Sequence, residues 1–157
     1  MSPTDKFLKL AQKASIPYEI YSGKRSDIGN GQGGCYWSGK KKKLMVWDKV
    51  KAIDLAHELS HYLSVENSQQ YSINNYGLDL DLYDSKKQER NACLLHFHLA
   101  SIFDIPKDEI EADMDNCSFF SEHTKEEVYT ESEQYSMMNH RDIILKARNI
   151  QGEQNVN

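Results

Sequence analysis

Apolar positions near the start of the chain recur with helical spacing. Phe7, Leu8, Leu10, Ala11 and Ala14 share one stripe, Ser2 stands where an N-cap belongs and Pro3 suits the first helical turn. The pattern predicts a helix from about Pro3 to Ala14, ended by Pro17. Tyr18-Glu19-Ile20-Tyr21 then alternates as a short strand does. Cys35-Tyr36-Trp37-Ser38 and Leu44-Met45-Val46-Trp47 flank Gly39 and four lysines, which predicts a β-hairpin with a basic tip. Asp48 is placed to cap a helix over 49–64.

The segment 65–84 is polar and carries the turn signal Asn74-Asn75-Tyr76-Gly77. Ser85-Lys86-Lys87-Gln88 reads as a capping box opening a helix from about Lys86 to Phe103. Pro106 begins a short helix with Asp108 and Glu109 in its first turn, and Thr124-Lys125-Glu126-Glu127 forms a second capping box. Asn139 and Asp142 are expected to cap a last helix ending near Asn149, before a polar, frayed tail over 151–157. Together these elements predict a single α+β domain over 1–150, with a short antiparallel or mixed sheet and additional C-terminal helices.

Composition changes this picture little. A chain of 157 residues suits one domain, and a net charge of −5 argues against direct nucleic-acid binding. The chain has no apolar run of the roughly 18–20 residues that crosses a bilayer, and its N-terminus lacks the pattern of a signal peptide. Cys35, Cys93 and Cys117 are odd in number and fit neither a disulfide framework nor a CxxC metal site. The expectation is a cytoplasmic protein with reduced thiols. Gly29-Asn30-Gly31-Gln32-Gly33-Gly34 reads as a turn, since no GK[ST] follows it. Lys40–Lys43 and the acidic run Asp104–Asp115 read as solvated surfaces.

The chemistry concentrates in His57-Glu58-Leu59-Ser60-His61. Each helical residue turns about 100°, so His57 and His61 stand about 40° apart on one face, and two imidazoles so placed can reach a single zinc ion. Glu58 lies at the edge of that face, positioned for water rather than for the metal. Leu55, Leu59, Leu63, Ala52 and Ala56 occupy the opposite side and would anchor the helix. Zinc lowers the pKa of its water to about 7, and Glu58 would take the proton as general base.

A catalytic zinc takes three protein ligands. Ser64 and Asn67 stand where the metzincin pattern needs Gly and His, which excludes that arrangement. The downstream candidates are Glu66, Asp79, Asp81, Asp84, Glu89, His96, His98, His123 and His140. Glu89 is preferred, in the first turn of the next long helix, with His96 as rival ligand or supporting partner on nearly the same face. His98 has packing neighbours, and His123 and His140 are alternatives for stabilising an oxyanion. Asp79–Asp84 lacks the glycine and terminal glutamate of a calcium loop.

With Leu44–Trp47, Ala56-His57-Glu58-Leu59-Ser60-His61 and Glu89-Arg90-Asn91-Ala92 followed by Leu94-Leu95, the chain resembles the ImmA/IrrE family of small metallopeptidases over roughly residues 15–105. The resemblance implies a minimal-zincin-like, gluzincin-type α+β fold, one Zn2+ on His57, His61 and Glu89, and Glu58 as catalytic base. It implies a protein substrate, such as a helix-turn-helix repressor. In zincins the strand before the active-site helix commonly lies at a sheet edge, so Leu44–Trp47 is expected to pair with an extended substrate. The alternative function is a non-proteolytic antirepressor or phage-type inhibitor on the same scaffold, in which Glu58 would be dispensable.

Overall fold

A computed structural model of the chain describes residues 1–24, 34–64 and 85–155. The expected turn at 29–33, the acidic stretch 79–84 and Glu66 lie outside them. Among the described residues the fold is α+β, with six α-helices and one three-stranded mixed sheet.

Helix α1 (Pro3–Lys13) starts where the sequence places it, with the Ser2 hydroxyl accepting from the Asp5 amide. Its stripe of Phe7, Leu10 and Ala11 is fully buried. Strands β1 (Tyr18–Tyr21), β2 (Cys35–Ser38) and β3 (Lys43–Trp47) form the sheet in the order β1-β3-β2. β2 and β3 are the expected antiparallel hairpin, with Trp37 opposite Leu44, while β1 runs parallel to β3 with Ile20 opposite Val46. β3 is therefore the central strand. The expectation that Leu44–Trp47 forms an edge open to substrate is wrong, because both its ladders are already occupied.

Helix α2 (Ala52–Ser64) carries the HExxH segment. It begins three residues later than expected, and Asp48 is not its cap. The Asp48 amide donates instead to the Tyr21 carbonyl at 2.8 Å, continuing the β1 edge, and a turn closed by Val50 N–H on the Trp47 carbonyl precedes the helix. Helix α3 (Ser85–Ile102) packs against α2, and on other sides against α5 (Lys125–Asn139) and α6 (Arg141–Asn155). Helix α4 (Lys107–Asp115) follows Pro106, and a short 3-10 turn spans Ser118–Phe120.

The capping box at Thr124 forms in both directions with Glu127. The cap expected at Asn139 does not form. Asn139 is the last residue of α5, its side-chain amide bonded back to the Tyr135 carbonyl, and α6 opens at Arg141. α6 also runs to Asn155 rather than ending near Asn149, with Glu153 paired to Lys9 and Lys13 of α1. The core between the sheet and the helices holds Trp37, Leu44, Leu55, Leu59, Phe97 and Phe103, with Phe7 edge-on to Phe103 at 4.9 Å. No described helix is long and apolar enough to cross a membrane.

Candidate metal centre

α2 is anchored by Leu55, Ala56 and Leu59, each at most 1% exposed, which turns His57 and His61 away from the sheet and toward α3. Glu89 comes from the second turn of α3. The three donor groups converge. His57 Nε2 stands 2.9 Å from His61 Nε2 and 3.0 Å from Glu89 Oε1, and His61 Nε2 lies 2.8 Å from Glu89 Oε2. Donors around a tetrahedral ion with bonds of about 2.0–2.1 Å stand about 3.3 Å apart, so the cluster is slightly tight for one small cation. His57, His61 and Glu89 form a group able to hold a metal ion, and so do His57, Cys93 and His96.

The outer hydrogen bonds decide where the ring protons sit. Gln88 Nε2 donates to the His61 carbonyl at 3.1 Å, which fixes the amide's orientation and places Gln88 Oε1 2.7 Å from His61 Nδ1. An amide oxygen only accepts, so His61 carries its proton on Nδ1 and presents a lone pair at Nε2. His57 is treated the same way by a longer chain. His96 Nε2 donates to Asp113 Oδ2 at 2.8 Å, which leaves His96 Nδ1 as the acceptor for His57 Nδ1–H at 2.9 Å. His57 Nε2 is then a lone pair as well. Two lone pairs and a carboxylate directed at one point repel unless a cation or a proton lies between them, so this donor set fits a metal ion.

Charge reinforces the cluster. Burial is the largest influence on the Glu89 carboxyl and pushes its pKa up. Hydrogen bonds and charge from His57 and His61 overcome that and hold it well below the usual carboxylate range. Burial likewise works against protonated His57, but Glu89 outweighs it and the net shift is upward. His96, 1% exposed, is pushed down to about 4 by burial, against the pull of Asp113, and stays neutral at ordinary pH.

Glu58 takes no part in this donor set. Its pKa is raised, chiefly by burial, with His61 and His57 pulling the other way. Its Oε2 is buried with no hydrogen-bond partner among the described residues, which is costly unless something else occupies that position. Its charge also reaches the Cys35 thiol on β2, whose pKa burial and then Glu58 push up. One helical turn beyond Glu58, Tyr62 of α2 packs on Trp37 of β2 with ring centroids 4.8 Å apart.

The structure thus brings together His57, Glu58, His61 and Glu89. His96 lies behind His57 as its hydrogen-bond partner. The other two histidines raised as oxyanion alternatives are elsewhere: His123 lies edge-on to Phe120, and His140 caps α5 near Tyr135. His98 points away from the cluster, with burial lowering its pKa. Two supporting residues escaped the sequence reading. In sequence Gln88 fits the second member of a capping box, and Asp113 one carboxylate of a solvated face. Comparison with family models, curated proteins and solved structures finds no match to this chain.

Proposed function

We propose that the protein is a zinc-dependent endopeptidase on a minimal-zincin-like scaffold, with His57, His61 and Glu89 holding the metal and Glu58 as general base. The observation that carries this reading is the Glu58 carboxylate oxygen, buried and unpartnered beside three converging donors. Zinc in that position supplies Lewis-acid chemistry, acidifying water and polarising a peptide carbonyl. The chain's own residues do the rest. Glu58 takes a proton from the attacking water and delivers it to the leaving amine, and its raised pKa brings it closer to the operating pH such a base needs. Gln88, His96 and Asp113 keep both imidazoles in the tautomer that leaves Nε2 free. β3 has partners on both sides, so an extended substrate would lie along β2, an edge strand of the described sheet that packs against α2. A regulatory protein such as a helix-turn-helix repressor, cut in the cytoplasm, is the substrate the family resemblance supports.

Glu58→Gln tests the reading. It keeps the side chain's volume and the three donors but removes the base. The expected result is one zinc per chain, as in the parent protein, with peptide cleavage reduced by about 10²–10⁴-fold. A parent protein that takes up no zinc when supplied with it would sink the proposal. A Glu58→Gln protein with undiminished biological activity would instead favour the non-proteolytic binding function.

A further inference from the structure

Cys93 and Cys117 are 24 positions apart and sit on different elements, yet their sulfurs lie 3.7 Å apart. Cys93 is in α3, one turn beyond Glu89, with its Sγ 3.9 Å from Glu89 Oε1. Cys117 follows α4 and opens onto the 3-10 turn at Ser118. Cys93 is 4% exposed while Cys117 is half-buried, and both are free thiols. A disulfide bond is about 2.05 Å long, so the sulfurs need to close by about 1.7 Å, within reach of a side-chain rotation.

We propose that Cys93 and Cys117 are a reversible dithiol couple, oxidised by peroxide to an intramolecular disulfide against the metal cluster. The more accessible Cys117 reacts first. Its thiolate displaces hydroxide from hydrogen peroxide and becomes a sulfenic acid, the sulfur losing two electrons as the peroxide O–O bond breaks. The Cys93 sulfur then attacks the Cys117 sulfur, the S–S bond forms, the S–O bond breaks and water leaves with the Cys93 proton. The net change is two thiols and one peroxide giving one disulfide and two waters. The bond ties α3, one turn from Glu89, to the end of α4, which carries Asp113 and so supports His96. Oxidation therefore constrains the two helices that hold the third donor and the far end of the His57 chain. The thiol chemistry stands independently of the peptidase reading.

The experiment treats reduced full-length protein with hydrogen peroxide in the presence of dimedone, then unfolds and alkylates it for intact-mass and peptide analysis. It is run on zinc-loaded and on chelated protein. The chain has three cysteines, and alkylatable thiols should fall from three to one, Cys35, with a Cys93–Cys117 linked peptide and no dimedone adduct. Dithiothreitol should restore all three. Cys93→Ala or Cys93→Ser should trap dimedone on Cys117, because the resolving thiol is gone, whereas Cys117→Ala should give neither adduct nor linkage. A dimedone adduct on Cys117 of the parent protein with no Cys93–Cys117 linkage, three thiols surviving peroxide, or disulfide-linked dimers would overturn the proposal. So would protection in the zinc-loaded protein alone, which would mean that Cys93 is a metal ligand with His57 and His96.

Discussion

Gln88 offers the sharpest test of how the centre is held. Gln88→Met keeps the length and approximate volume of the side chain and removes both polar contacts with His61. His61 is 3% exposed, so its Nδ1–H is then left without an acceptor and without water to replace it. An orphaned buried donor costs about 1–3 kcal/mol. The imidazole avoids that cost by moving its proton to Nε2, the nitrogen a metal needs, and zinc binding must then work against the same penalty. At about 1.4 kcal/mol per tenfold, zinc affinity should fall about 5–150-fold. That range matches the 10–100-fold commonly seen when a partner of a metal-bound histidine is removed.

Gln88→Glu separates orientation from packing. A carboxylate accepts the His61 Nδ1 proton more strongly than an amide but cannot donate to the His61 carbonyl. Both variants should lower the unfolding temperature of the metal-free protein. Only Gln88→Met should weaken zinc, measured by competition with a chromophoric chelator at neutral pH. If the parent and both variants bind zinc within about threefold of one another, or if Gln88→Glu is as weak as Gln88→Met, the tautomer argument fails.

Asp113→Ala should weaken zinc by a smaller factor, about three- to tenfold, because Asp113 is 36% exposed and water can take its place on His96 Nε2; an effect larger than that of Gln88→Met would reverse the assigned order of importance. The metal-free protein should be most stable near pH 6, followed by thermal unfolding across pH. On the alkaline side His57, raised above its ordinary 6.5, contributes stability that is present below 6.5 and lost as pH rises through its folded pKa. Glu58, also raised, acts in the same direction because its buried charge is unfavourable. On the acid side His96, depressed to about 4, costs stability as pH falls below 6.5, and Glu89 loses its contribution as pH falls below 4.5. Zinc competes with the proton on His57, so the gain in unfolding temperature on adding zinc should grow from about pH 5 to 8, and a gain that does not vary with pH would contradict the assigned ligand. Phe103→Ala, which empties a fully buried site against Phe7, should cost about 3–5 kcal/mol in urea unfolding, and a loss below about 1 kcal/mol would contradict the packing of Phe7 on Phe103.

What could be read from sequence was local. The Ser2 and Thr124 caps, the β1 strand and the β2–β3 hairpin are set by neighbours within a few residues and form as expected, although β1 does not alternate in burial and its Ile20 is exposed. The order of strands is not local. Nothing in Leu44–Trp47 says that β1 will add to its second side, and Asp48 resembles a cap until its amide is seen on Tyr21. α5 buries Val128, Ser132 and Ser136, so its inner face is small and polar and leaves no apolar stripe to read. The same limit applies to the site. His57, His61 and Glu58 announce themselves through spacing, and Glu89 through its place on the next helix. Gln88 and Asp113 acquire a role only through what α2 and α3 bring against them.

That packing explains why one pair of helices suffices for the centre. His57 is gripped at both ring nitrogens by α3-borne side chains, Glu89 at Nε2 and His96 at Nδ1. Those two lie seven residues apart, two turns along one face of α3, a rise of about 10 Å. A single imidazole that meets one group at each ring nitrogen spans such a gap only if α2 lies close across that face. Ala92, between them and fully buried, has no side chain beyond Cβ to hold α2 away. His61, one turn further along α2, meets Gln88 and Glu89 at the beginning of the same face. Each imidazole is thus fixed in rotation and in tautomer by the same helix that supplies the third donor. The geometry of the cluster is a property of the α2–α3 interface, and the order imposed by the hydrophobic core behind Leu55 and Leu59 is what leaves three lone pairs facing one point.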